Sequence, residues 1–253
     1  MKIFSALFSE LKFVMFVFLI PTLLIIVLTM ALRFSEINAE TVYTAAGTFI
    51  QIIIAILYLN AKGLNVKEAF KKPDIKFLLL VLIFRFCWLI FSTQFFFSVF
   101  SAEDEFHETS LLTDIATFTL VPVAEEIICR YGMINLGRKS AGIFVAGTLS
   151  VLVFTVLHFG SIPATLRTFG NGVFYTVIYC LTGNIVYTIS AHALNNFFST
   201  TTYPLVENFL SADTLMELIN PYFFISIFGM GITILLMIRR FKKSIKNFFE
   251  YIK

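Results

Sequence analysis

The 253-residue chain is 58% hydrophobic and 14% charged, with a formal net charge of +3 and a mean hydropathy of +0.88. Those proportions exclude a soluble globule and describe a polytopic membrane protein whose solvent is lipid. The three cysteines, Cys87, Cys129 and Cys180, all fall in apolar stretches, which reads as packed free thiols and excludes a disulfide framework or a CxxC metal site.

In chain order, apolar runs long enough to cross a bilayer stand near residues 13–32, 41–60, 75–100, 111–130, 141–159, 169–183, 184–202 and 221–239. The expected fold is all-α: one integral membrane domain over residues 1–253, a bundle of about eight transmembrane helices. The first run has no small-residue cleavage pattern after it and reads as a retained helix. Lysines 62, 67, 71, 72 and 76 crowd the second loop, Arg138 and Lys139 the fourth, and Arg239, Arg240, Lys242, Lys243 and Lys246 the tail. The positive-inside rule places these, and both termini, in the cytoplasm. The opposite loops carry Glu103, Asp104, Glu105, His107 and Glu108, and further on Glu207, Asp213 and Glu217. The basic tail reads as a topology anchor touching anionic lipid, so no nucleic-acid partner is expected.

The fourth run contains the residues that composition does not explain. In VPVAEEIICRYG, Glu125 and Glu126 are adjacent and Arg130 follows one turn later. An acidic side chain at mid-membrane costs roughly 2.5 to 3.5 kcal/mol on insertion scales, so a pair marks a site or an ion-pair network. Glu126 and Arg130, at i and i+4, share a helix face and should pair; Glu125, rotated by about 100°, is left to act as a general base. Pro122 removes a backbone donor just upstream and can kink the helix. In VFTVLHFG, Phe154 and His158 stand at i and i+4; in SAHALNNF, His192 and Asn196 do the same. A histidine and a carboxamide on one face can stabilise an oxyanion, or can clamp two helices together. For His192 to reach the depth of Glu125, the turn at Thr182, Gly183 and Asn184 must be sunk into the protein; the lack of any Lys, Arg, Asp or Glu between Arg167 and Glu207 permits this. Arg85, ten residues into the third run, is expected either to snorkel to the interface or to pair with Glu126.

Together EExxxR, FxxxH and HxxxN, in that order on successive helices, resemble the CPBP family of intramembrane proteases, which includes type II CAAX prenyl endopeptidases and Abi-like bacteriocin-processing or immunity proteins. The resemblance covers a catalytic core of residues 111–200 and departs from the family where Tyr131 separates Arg130 from Gly132. It implies that Glu125 and His158 activate water, that His192 and Asn196 stabilise the oxyanion, and that Glu126 and Arg130 orient the site. Metal dependence is the open question. Metal-free glutamate chemistry is the first reading, because there is no HExxH and Asn196 is a poor zinc ligand; the alternative is a Zn²⁺ ion held by Glu125, His158 and His192.

The resulting expectation is an endopeptidase of the bacterial plasma membrane, cutting a membrane-associated or lipid-modified peptide or protein. Two other functions use the same residues: a non-proteolytic immunity or signalling scaffold of that family, and a small proton-coupled transporter, for which intramembrane carboxylates and histidines are also expected. No inverted repeat supports the transporter, and nothing in the sequence selects the substrate.

Overall fold

The computed structural model describes residues 2–32, 39–100, 110–202 and 220–250. Every regular element among the described residues is a helix, without a strand, and the protein is an all-α membrane bundle. The acidic residues 103–105, His107, Glu108, Glu207, Asp213 and Glu217 lie outside the described residues.

Helix α1 spans Lys2–Leu32. A helical turn at Ala39–Val42 widens through Tyr43–Gly47 and leads into α2, Thr48–Ala61. After a 3-10 turn at Val66–Ala69 comes α3, Ile75–Phe100. The fourth run is α4, Leu111–Glu125, capped by Ser110, whose hydroxyl accepts from the Thr113 N–H at 3.1 Å. It continues as a π-helix, Glu126–Met133, and then as α5, Ile134–Leu157. Helix α6 is Ile162–Thr182, α7 is Ile185–Phe197 with a wide turn at Phe198–Thr202, and α8 is Tyr222–Glu250.

Among the described residues, five stretches are long and apolar enough to cross a membrane: Phe8–Val27, Thr44–Ala61, Ile75–Phe95, Leu111–Leu157 and Tyr222–Lys242. The fourth is 47 residues long, too much for one crossing, and it breaks at Gly142, where φ is +83° and ψ 164°. Only glycine adopts that backbone region without strain. The two halves then run side by side: Ser150 Oγ donates to the Cys129 carbonyl at 2.7 Å, and a Cβ on Gly137 would stand 3.0 Å from that of Ala146. With the break counted, the described helices match the eight expected runs, although α6 starts earlier and α8 ends later than apolarity alone suggested.

The core that positions the site is built by α1, α2, α3, the π-helix, α5, α6 and α7, with Phe13, Leu59, Phe77, Ile127, Ile128, Met133, Tyr175 and Ile185 almost wholly buried. Phe13 occupies the space a side chain at Gly132 would need. Tyr131, which separates Arg130 from Gly132, donates its hydroxyl to the Asn65 carbonyl at 2.6 Å. It thereby ties the π-helix to the turn after α2.

Candidate active site

Glu125 closes α4 and Glu126 opens the π-helix, so the acidic pair sits where the backbone widens. Such bulges leave the regular i→i−4 ladder and occur often at functional sites. The wider turn still leaves Glu126 and Arg130 paired, with Glu126 Oε2 3.4 Å from Arg130 Nε and neither side chain exposed. The Arg130 guanidinium lies between aromatic faces, 4.3 Å from the Phe154 ring centroid and 5.3 Å from that of Tyr175. Its Nη2 reaches the Gly172 carbonyl at 3.5 Å. Cation–π contacts of this kind help hold a charge that has left water.

Helix α5 brings His158 to Glu125, with Nε2 3.3 Å from Oε1. The opposite ring nitrogen, Nδ1, lies 2.8 Å from the Phe154 carbonyl. A carbonyl only accepts, so Nδ1 carries a proton and the ring is oriented by its own helix. Helix α7 brings His192, whose Nε2 is 3.5 Å from Glu125 Oε2 and whose Nδ1 is 3.0 Å from Glu126 Oε1. The two oxygens of Glu125 therefore face imidazoles from two different helices, and each imidazole has its far nitrogen anchored.

The turn that precedes His192 is partly buried, as its uncharged sequence predicted. Asn184 is 3% exposed, accepts from the Val186 N–H at 3.1 Å and donates to the Lys71 carbonyl at 3.0 Å. Gly183 turns the chain with φ at +57°.

Asn196 is held differently from a free oxyanion donor. Its Nδ2 donates to the Thr117 carbonyl of α4 at 2.9 Å, and its Oδ1 accepts from Asn195 Nδ2 at 3.1 Å. One N–H of the carboxamide is thus spent on bracing α7 against α4, which leaves the other for chemistry.

Two features of the site were not read from the sequence. Tyr175 is wholly buried and stacks on His192, with ring centroids 5.0 Å apart and an interplanar angle of 21°. Arg85 neither snorkels nor pairs with Glu126. It is 1% exposed and donates to Asn171 Oδ1 at 2.8 Å and to Asn195 Oδ1. Its guanidinium lies 5.8 Å from the Tyr175 centroid. Carboxamide oxygens offered on facing helices hold the two terminal nitrogens of the cation without a carboxylate, and Trp88 Nε1 shares the Asn171 oxygen at 2.9 Å. The signal that could have found this network is the i, i+4 pair Asn171 and Tyr175 in NGVFY, which puts both on one face of α6.

Side-chain exposure grades across the cluster, from 36% at His158 and 17% at Glu125 to 5% at His192 and none at Glu126 or Arg130. The site opens on the His158 side, beside exposed Val156, Phe159 and Ile162. The three cysteines are unbridged, and Cys129, within the π-helix, is buried.

Residues 107–198 match the family model described as type II CAAX prenyl endopeptidase Rce1-like. The CPBP resemblance holds. No curated protein and no solved structure matches the chain. The match to the family model supports, at family level, an intramembrane protease of the CAAX type, and the matched segment runs from just before α4 to just beyond α7, so it contains every residue of the cluster.

Proposed function

We propose that the protein is an intramembrane endopeptidase that uses Glu125 as its general base. The observation that carries the reading is the placement of His158 Nε2 and His192 Nε2 against separate oxygens of one partly buried carboxylate. Glu125 Oε2 accepts no hydrogen bond from the described residues, which leaves a lone pair to take a proton. In the proposed reaction Glu125 removes a proton from water, and the resulting hydroxide adds to the scissile carbonyl. The oxyanion is met by His192 Nε2 and the second N–H of Asn196. Nε2 donates only when the ring carries both protons, and in that form Nδ1 stays bonded to Glu126. Collapse of the tetrahedral intermediate sends a proton from the Glu125–His158 pair to the leaving amine.

Among the described residues, no group of three or more His, Cys, Asp or Glu side chains is arranged to hold a metal ion. Glu125, His158 and His192 come together with one carboxylate oxygen opposite each nitrogen, an arrangement for sharing protons, and we derive no step through zinc. The proposed chemistry is metal-free, and it predicts turnover that survives exhaustive chelation; loss of turnover with recovery on zinc alone would reverse it.

The open side flanked by Val156, Phe159 and Ile162 favours a substrate that arrives through the membrane, such as a lipid-modified or membrane-bound peptide or protein. The test is mass spectrometry of membrane and released peptides from cells expressing the wild type or Glu125→Gln. A precursor that accumulates, with its fragments missing, only in the variant is the expected result; identical peptide profiles would remove the protease reading and favour a scaffold.

A further inference from the structure

Away from the cluster, a cavity of about 820 Å³ lies between two helix pairs. Helices α3 and α8 pack along each other, as do α5 and α6, while α6 touches α3 and α8 only sparsely. Phe84 of α3 and Phe174 of α6 bridge the pairs, stacked with centroids 4.5 Å apart. The walls are almost wholly apolar, with Trp88, Leu152, Phe169, Val177 and Ile238 among them. Helix α6 separates this groove from the acidic cluster, since Val173, Thr176 and Val177 line the groove whereas Asn171 and Tyr175 meet Arg85 and His192.

The size of the groove restricts what fills it. Along α6 it runs from Phe169 to Leu181, about 18 Å at 1.5 Å per residue. That length and the almost wholly apolar walls suit extended hydrocarbon chains.

Charge defines the other half of the ligand. At the end lined by Ile143, Leu181 and Ile238, three parts of the chain bring exposed cations. Arg138 and Lys139 precede the break in α5, and Arg239 follows Ile238 directly. Lys71 Nζ reaches the turn after Leu181, 3.2 Å from where a Cβ on Gly183 would stand. Among the described residues, no acidic side chain lines the groove. We propose that the groove is a binding site for an anionic diacyl membrane lipid, its chains between the helix pairs and its phosphate among Arg138, Lys139, Arg239 and Lys71. The lipid splints two helix pairs that otherwise meet at few points, and it is distinct from the peptide substrate.

Trp88 lines the groove and is the single tryptophan of the chain, so its emission reports occupancy. The protein is reconstituted in phosphatidylcholine vesicles containing increasing fractions of phosphatidylglycerol with brominated chains. Quenching should saturate at a low fraction, exceed that caused by brominated phosphatidylcholine, and reverse when unlabelled phosphatidylglycerol is added. Val177→Phe and Leu152→Phe, which fill the groove from exposed positions, should lose the saturable component. Replacing Arg138, Lys139 and Arg239 with Gln should weaken the preference for phosphatidylglycerol by about fivefold per charge removed. Glu125→Gln should keep it, so the outcome does not depend on proteolysis. Equal quenching by both brominated lipids, rising in proportion to their fraction, would overturn the proposal. So would quenching displaced by a lipidated peptide but not by phosphatidylglycerol, because the groove would then belong to the substrate.

Discussion

Glu126 holds His192 through Nδ1 at 3.0 Å while its other oxygen faces Arg130 at 3.4 Å. One carboxylate therefore fixes both the imidazole of α7 and the guanidinium of the π-helix, and its neighbour Glu125 is left facing the open side.

That division predicts unequal losses. Glu125→Gln should lower turnover by about 100- to 10,000-fold with an unchanged melting temperature. Glu126→Gln strands Arg130 in the interior and should cost about 3–5 kcal/mol of stability, together with turnover. Thermal melts in detergent beside a peptide-cleavage assay separate the two; equal catalytic losses with equal stability would show that both glutamates do the same job.

Tyr175 acts through its ring. Its hydroxyl has no hydrogen-bond partner among the described residues, so Tyr175→Phe should shift stability by less than about 0.5 kcal/mol. Tyr175→Ala removes the plate behind His192 and between two guanidiniums and should cost about 3–5 kcal/mol. Chemical denaturation of both variants checks this, and a Phe variant as damaged as the Ala variant would assign the effect to the hydroxyl.

Glu10 of α1 is wholly buried and packs so tightly on Gly137 that a Cβ there would collide with its carboxyl group. Gly137→Ala should therefore destabilise by about 1–3 kcal/mol. Adding Glu10→Ala should recover much of that loss relative to Glu10→Ala alone. A double-mutant cycle measures the coupling, and simple additivity would mean that the two do not meet.

Asp74 links acid stability to the packing of α8. Its carboxyl is held below the usual carboxylate range, first by the Phe77 N–H at the start of α3 and then by Arg240, 2.7 Å away. A depressed value stabilises the fold above the unfolded pKa of about 3.9 and loses that contribution as pH falls through the folded value. Wild type should melt higher than Asp74→Asn near neutral pH, and the difference should close in acid; a gap that stays constant to low pH would remove Asp74 as the cause.

The apolar runs were legible because lipid demands a simple pattern, and the cluster was legible because charge in such a run needs a reason. The π-helix at Glu126–Met133 was not, since i→i+5 and i→i+4 hydrogen bonding differ by little locally and packing decides between them. Arg85 was misread because a cation was expected to seek water or a carboxylate, whereas Asn171 and Asn195 come from distant segments to supply amide oxygens. Helix α6 starts ahead of its apolar run because Arg167 interrupts apolarity, whereas Ser161 followed by Ile162 and Pro163 spells the N-terminus.

The positive-φ break at Gly142 works as the pivot of a pair of calipers. Glu125 stands 17 residues before it and His158 16 residues after it, so the arms are nearly equal and their tips close on one another. A residue added to or taken from either arm advances one tip by about 1.5 Å and swings it through about 100°. Spacing from the pivot is thus as much a part of the site as the identity of the two side chains.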